Sequence, residues 1–169
     1  MNNNKMSNPT ENTHGYLELI IGPMYSGKTS RIVEIYNQCN FCDIPVVAIN
    51  HDIDNRYDEE LLSTHDKIKI PCIKTNSLKN IWKSDIKIFT DKTFNTESNG
   101  NFLITKYSKV ILINEGQFFD DLLEVVSDMV NQGKQVYVCG LDGDFERKKF
   151  GQILDLIPLC DKVTKLTSL

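Results

Sequence analysis

The stretch Gly22-Pro23-Met24-Tyr25-Ser26-Gly27-Lys28-Thr29-Ser30 fits the pattern G-x-x-x-x-G-K-[ST] without a mismatch. Its two glycines let the backbone turn tightly enough for successive N–H groups to surround phosphate oxygens. A helix starting near Lys28 would add the positive end of its dipole. In such a loop Lys28 reaches the β and γ phosphates of a nucleoside triphosphate, and the Thr29 hydroxyl ligates Mg²⁺. The loop points to a bound nucleoside triphosphate but does not name the group that receives the phosphate.

A second polar cluster follows the apolar run Val110-Ile111-Leu112-Ile113, at Asn114-Glu115. Proteins of this architecture place a second metal contact and a substrate-facing carboxylate at such a strand end. Asn114 is neutral where a carboxylate is usual, so its contact to Mg²⁺ lacks a full charge. Glu115 is the candidate base: a hydroxyl is a poor nucleophile until a positioned carboxylate takes its proton.

These residues need a scaffold that brings loop and carboxylate together. Leu17 to Ile21 reads as a strand, and Lys28 to Cys39 as a helix burying Ile32, Val33, Ile35 and Tyr36. Pro45 to Asn50 is a second strand, followed by a polar loop from His51 to Glu60. Lys67 to Ile73 and Asp85 to Thr90 read as short strands flanking a helix near Ser77 to Trp82. Asp91 to Asn101 has the composition of a solvated loop, and the stretch from about Asp85 to Phe102 reads as a surface hairpin. Lys109 to Asn114 is the clearest buried strand. A helix from about Asp120 to Gln132, stopped by Gly133, leads to another strand from Gln135 to Gly140. Strands alternating with helices define an α/β fold, a parallel sheet flanked by helices of the P-loop NTPase type.

The 169 residues fit one domain. Residues 1–14, rich in Asn, Ser and Thr, are expected to form a disordered arm before a domain spanning 15–169. With 19 basic against 23 acidic residues, the net charge of -4 argues against a general nucleic-acid binder, and no run approaches the roughly 18 apolar residues of a membrane span. The leader has no secretion-signal core, so a cytoplasmic location is expected. The five cysteines read as reduced thiols. Cys39 and Cys42 have metal-ligand spacing, but a closed zinc site needs a second pair. The absence of an Asn-Lys-x-Asp motif disfavours a GTPase, and the acidic balance disfavours a helicase.

Taken together, GPMYSGKTSRIVE, DNRYDEELLSTHD, ILINEGQFFDDLLE and GLDGDFERKKFGQILDLIPLCDKVTKLTSL resemble thymidine kinases of the cellular and poxviral type, over residues 16–169 and in the family's order. The resemblance implies transfer of the ATP γ-phosphate to the 5′-hydroxyl of thymidine or deoxyuridine, in deoxynucleotide salvage. It implies that Glu115 is the catalytic carboxylate and that Arg56 approaches the phosphates, with Asp54 and Tyr57 shaping its loop. Met24, Phe118, Leu141, Phe145 and Phe150 match positions enclosing the nucleoside, Phe118 stacking on the base and Gln117 contacting ribose or base. Arg147 is either a phosphate contact or part of a solvated basic run. Thr64-His65-Asp66 reads as structural, and His14 and His51 carry no readable signal.

The family also implies a dimer or tetramer, dTTP as a feedback inhibitor, and a structural Zn²⁺ in a lobe whose ligands would follow Leu169 and are not in this chain. Asn114 in place of Asp, and a sequence that stops before that lobe either as a fragment or as a degenerate gene, keep a second reading open: an ATP-binding protein without nucleoside kinase activity.

Overall fold

A computed structural model describes residues 14–53, 61–64, 68–83 and 96–168. The first strand, β1 (Tyr16–Ile21), leads through the glycine loop into helix α1 (Lys28–Phe41); β2 (Val46–His51) follows. Strands β3 (Leu61–Ser63) and β4 (Lys69–Pro71) pair antiparallel as a small separate sheet, and β5 (Ile73–Thr75) returns to the main one. The expected strand from Lys67 to Ile73 is therefore two strands in two sheets. Pro71 lacks the N–H that a continuing ladder needs, and the chain changes sheet at Cys72.

Helices α2 (Lys79–Trp82) and α3 (Thr96–Tyr107) come next, then β6 (Val110–Ile113), α4 (Leu122–Asn131), β7 (Gln135–Gly140) and, after a helical turn at Ile153–Leu159, β8 (Lys162–Lys165). Helix α3 corrects the reading of Asp91 to Asn101 as loop and of the region up to Phe102 as hairpin, for the part from Thr96 onward. Its last turns are held tertiarily, with the Lys106 ammonium 4.2 Å from the centre of the Trp82 ring. The strand expected at Asp85 to Thr90 and the arm at residues 1–13 lie outside the described residues.

Among the described residues the main sheet has six strands in the order β5-β2-β6-β7-β1-β8, and its pairings are parallel. Alternation along β1 sends Leu17, Leu19 and Ile21 to a core shared with α4 and α2, including Val125, Met129 and Trp82. Ile20 points to the other face, where Ile32, Val33 and Ile35 of α1 meet Leu62 and Ile70 of the small sheet. Both faces are covered, as a parallel sheet requires. The parallel direction also brings the C-terminal ends of all six strands to one edge, where α/β proteins bind ligands. No described helix is long and apolar enough to cross a membrane.

Candidate active site

The loop after β1 turns on Gly27, whose φ of 88° is a left-handed conformation costly for a side-chain-bearing residue. A Cβ there would meet nothing within 4 Å, so the space beside it is open for a ligand. Gly22 is confined instead: a Cβ would lie 2.5 Å from the Leu166 carbonyl oxygen, because β8 runs directly alongside β1. Within the loop Lys28 donates from Nζ to the Pro23 carbonyl, with Ser26 Oγ 3.4 Å away. Ser26 Oγ itself donates to the same carbonyl at 2.8 Å. The lysine thus folds back onto the loop's own oxygens where phosphate oxygens would substitute.

Lys28 is only 9% exposed. Burial pushes its ammonium below the ordinary lysine value, while the Glu115 and Asp142 carboxylates oppose that shift. Asp142 in turn pairs with Lys165 of β8 at 3.0 Å. Loop, β6 end and β8 end therefore share one electrostatic environment.

Glu115 stands where β6 ends, with φ 53° and ψ 42°. A non-glycine residue in the left-handed region costs about 1–3 kcal/mol and persists only when neighbours enforce it. Here they do. The turn Gly116–Phe118 follows at once, and a Cβ on Gly116 would lie 2.7 Å from Val138 Cγ1, so the chain can hug β7 only as glycine. Gln117 donates from Nε2 to Glu115 Oε2 at 2.6 Å and accepts the Leu141 N–H on Oε1 at 3.0 Å. At 3% exposure this amide faces inward. The side chain expected to meet ribose or base is engaged with the protein.

Asn114 is also engaged. Its Nδ2 donates to Asn50 Oδ1 at 3.2 Å, and its Oδ1 accepts from the Cys139 thiol at 3.0 Å. All three side chains are buried, and burial pushes the thiol up, so Cys139 stays protonated and donates. Thr29 is half-buried in the first turn of α1. An amide bonded at both ends is a weaker ligand than a free carboxylate. Among the described residues no group of three or more His, Cys, Asp or Glu side chains is arranged to hold a metal ion.

Of the aromatic residues, Phe118 meets Phe150 edge to face with ring centres 5.5 Å apart, and His51 packs 5.8 Å from Phe118 and 4.8 Å from Phe119. Leu141 is half-buried at the start of the segment 141–151. That segment turns back through a bridge between Gly143 and Lys149. Phe145, near its tip, is 95% exposed and is not brought to the other rings. Met24 and Tyr25 are exposed on the loop and Ser30 on α1. Arg147, also exposed, takes a left-handed φ of 62° in the same tip. Arg56, Asp54, Tyr57, His65 and Asp66 lie outside the described residues.

Asn50, His51, Cys139 and Asp142 belong to this neighbourhood and were not singled out from sequence. The signal was available: in a parallel sheet, polar residues closing an apolar strand fall on the ligand edge.

A glycine loop with a buried lysine, beside a carboxylate across the end of β7, defines a P-loop phosphotransferase. The family profile described as thymidine kinase matches residues 15–169. The thymidine kinase of variola virus is 38% identical over 154 residues, covering 91% of this chain and 75% of that protein; that of vaccinia virus (strain Western Reserve) gives the same figures. The thymidine kinase of Choristoneura fumiferana entomopoxvirus is 40% identical over 159 residues, covering 90% and 75%. The chain belongs to the thymidine kinase family.

Proposed function

We propose that this protein phosphorylates thymidine, moving the γ-phosphate of ATP to the 5′-hydroxyl to give dTMP and ADP. The observation that carries the reading is the placement of the glycine loop with Lys28 after β1 and of Glu115 after β6, on either side of the β7 end, in a chain of this family. The α1 N-terminus and the loop N–H groups cradle the β and γ phosphates, and Lys28 exchanges the Pro23 carbonyl for phosphate oxygens. Glu115 accepts the 5′-hydroxyl proton as that oxygen attacks phosphorus and the bond to ADP breaks. Mg²⁺ would be held through Thr29, with Asn114 as a weaker contact, and when bound would neutralise phosphate charge. Arg56 is assigned to the charge on the transferring phosphoryl group.

Phe118, backed by His51 and Phe150, offers an aromatic face for the base. Met24 and Leu141 contribute apolar contacts beside it. Deoxyuridine, lacking only the methyl group, is the expected second substrate. We extend the reading to feedback inhibition by dTTP and to a homo-oligomer, both supported by the family resemblance alone, and to action in the cytoplasm. The reading without kinase activity finds less support, since Glu115 is in place and its carboxylate is held.

The test is product identification. The chain is incubated with ATP, Mg²⁺ and thymidine, and the nucleotides are separated by mass. Formation of dTMP supports the reading; ADP release that ignores thymidine would overturn it.

A further inference from the structure

We propose that Gln117 is a positioning residue, which aims the Glu115 carboxylate and ties its direction to the segment 141–151. The inference rests on the reading of Glu115 as the base, and concerns a side chain expected from sequence to touch the substrate. The two ends of the Gln117 amide have different partners: Nε2 donates to Glu115 Oε2 at 2.6 Å, and Oε1 accepts from the Leu141 N–H at 3.0 Å. The partners set the orientation, since a flipped amide would place oxygen against carboxylate and NH₂ against N–H.

The surroundings leave this amide little freedom. A Cβ on Gly140 would lie 2.2 Å from Gln117 Oε1, and one on Gly151 would lie 2.1 Å from the Gln117 carbonyl oxygen. Gly151 also takes a left-handed φ of 58°. Both glycines therefore let the backbone close around Gln117, from the end of β7 and from the far end of the segment that follows it. With Oε2 of Glu115 held, rotation of the carboxylate is arrested and the direction of its other oxygen is set. That direction matters, because a displacement of about 1 Å at a reacting group costs on the order of a hundredfold in rate.

The same amide links two parts of the site. Leu141 begins the segment that carries Phe150, and Phe150 meets Phe118 one residue beyond Gln117. A base seated against Phe118 and Phe150 thus presses on the elements that orient Glu115. Substrate seating and base alignment become mechanically coupled.

Two variants separate this role from substrate contact. Gln117→Glu keeps an acceptor for the Leu141 N–H but sets a carboxylate against Glu115 Oε2; Gln117→Met keeps similar volume and loses both bonds. Each is checked for a parent-like unfolding transition, and either alone suffices for the test. We expect kcat at neutral pH to fall at least tenfold in both, with ATP affinity within twofold of the parent. Thymidine KM should stay within threefold of the parent, so that the loss falls on kcat. A loss confined to thymidine KM, with kcat unchanged, would make Gln117 a substrate contact and overturn the proposal.

A second readout does not need turnover. The Glu115 carboxyl carbon, labelled with ¹³C and assigned by its absence in Glu115→Gln, is observed at one neutral pH in parent and in Gln117→Met. A resonance displaced in the variant supports the hydrogen bond that holds the carboxylate; an unmoved resonance overturns it, whatever the activity. A parent without thymidine-dependent turnover would instead sink the proposed function and leave this spectrum to decide on Gln117.

Discussion

Asn114 donates to Asn50 at 3.2 Å, joining the C-terminal ends of β6 and β2 directly before Glu115. Both residues are almost fully buried, and Cys139 of β7 completes the chain of bonds. Three adjacent strand ends are thus joined by neutral groups beneath the reacting edge, which avoids the desolvation cost that a buried charge would carry.

Removing Asn114 takes one hydrogen bond from Asn50 Oδ1 and one from the Cys139 thiol. Asn114→Ala should destabilise the fold by about 1–3 kcal/mol. Asn50→Ala made in the same background should then cost less than it does alone, by about 0.5 kcal/mol or more. Urea unfolding of the two single variants and the double variant checks this, and strictly additive losses would contradict a shared network.

Gly140→Ala should be costly for a different reason. The new methyl would lie 2.2 Å from Gln117 Oε1 and 3.0 Å from Ile153 Cδ1. Overpacking of this kind costs about 1–3 kcal/mol. Turnover should drop further than the stability loss explains, because the displaced atom orients Glu115. Comparing unfolding with kcat at a temperature where both proteins are folded makes the distinction.

Asp121 caps a helix other than its own. Standing before α4, its carboxylate accepts from Ser77 Oγ at 2.6 Å and from the N–H groups of Leu78 at 3.2 Å and Lys79 at 2.9 Å, at the start of α2. Asp121→Ala should cost about 1–2 kcal/mol while leaving ATP affinity near that of the parent. Thermal unfolding and nucleotide titration together test this, and an unchanged stability would contradict it.

Alkaline pH should reveal the contact between Tyr16 and Glu18. The Tyr16 hydroxyl donates to Glu18 Oε2 at 3.0 Å, and burial together with that bond pushes its pKa up to about 12. The folded state therefore holds the proton more tightly than the unfolded one. The resulting stability is fully present below pH 10 and is lost as pH rises through about 12. Tyr16→Phe should lack this extra loss, so the stability difference between parent and variant should shrink across that window. Parallel denaturation curves at each pH measure it.

The parts legible in the sequence are those whose signal is local. The run Val110-Ile111-Leu112-Ile113 and the glycine loop each carry their own pattern, and both fall where expected. Strand β8 does not: Lys162-Val163-Thr164-Lys165 is largely polar, and it is a strand because it pairs with β1 across most of the chain, Lys162 and Thr164 meeting the buried Glu18. Helix α3 was hidden in the same way, since Asn, Ser and Gly near its start are poor helix formers and its last turns are held on Trp82.

In the site, residue types were legible and directions were not. Glu115 and Phe118 follow from motif and position, whereas the inward turn of Gln117 depends on Leu141 and Gly140, which sequence places more than a helix away. The exposure of Phe145 likewise follows from the shape of the segment around it, where the Glu146 and Lys148 N–H groups both donate to Asp144 Oδ1.

The most direct test of the account separates binding from chemistry at Glu115. ATP affinity and thymidine-dependent ADP release are measured side by side on the parent and on Glu115→Gln. The account predicts equal ATP affinity and a fall in turnover of about a hundredfold or more. Turnover within a few-fold of the parent would contradict it, because the proton of the attacking hydroxyl would then have another acceptor.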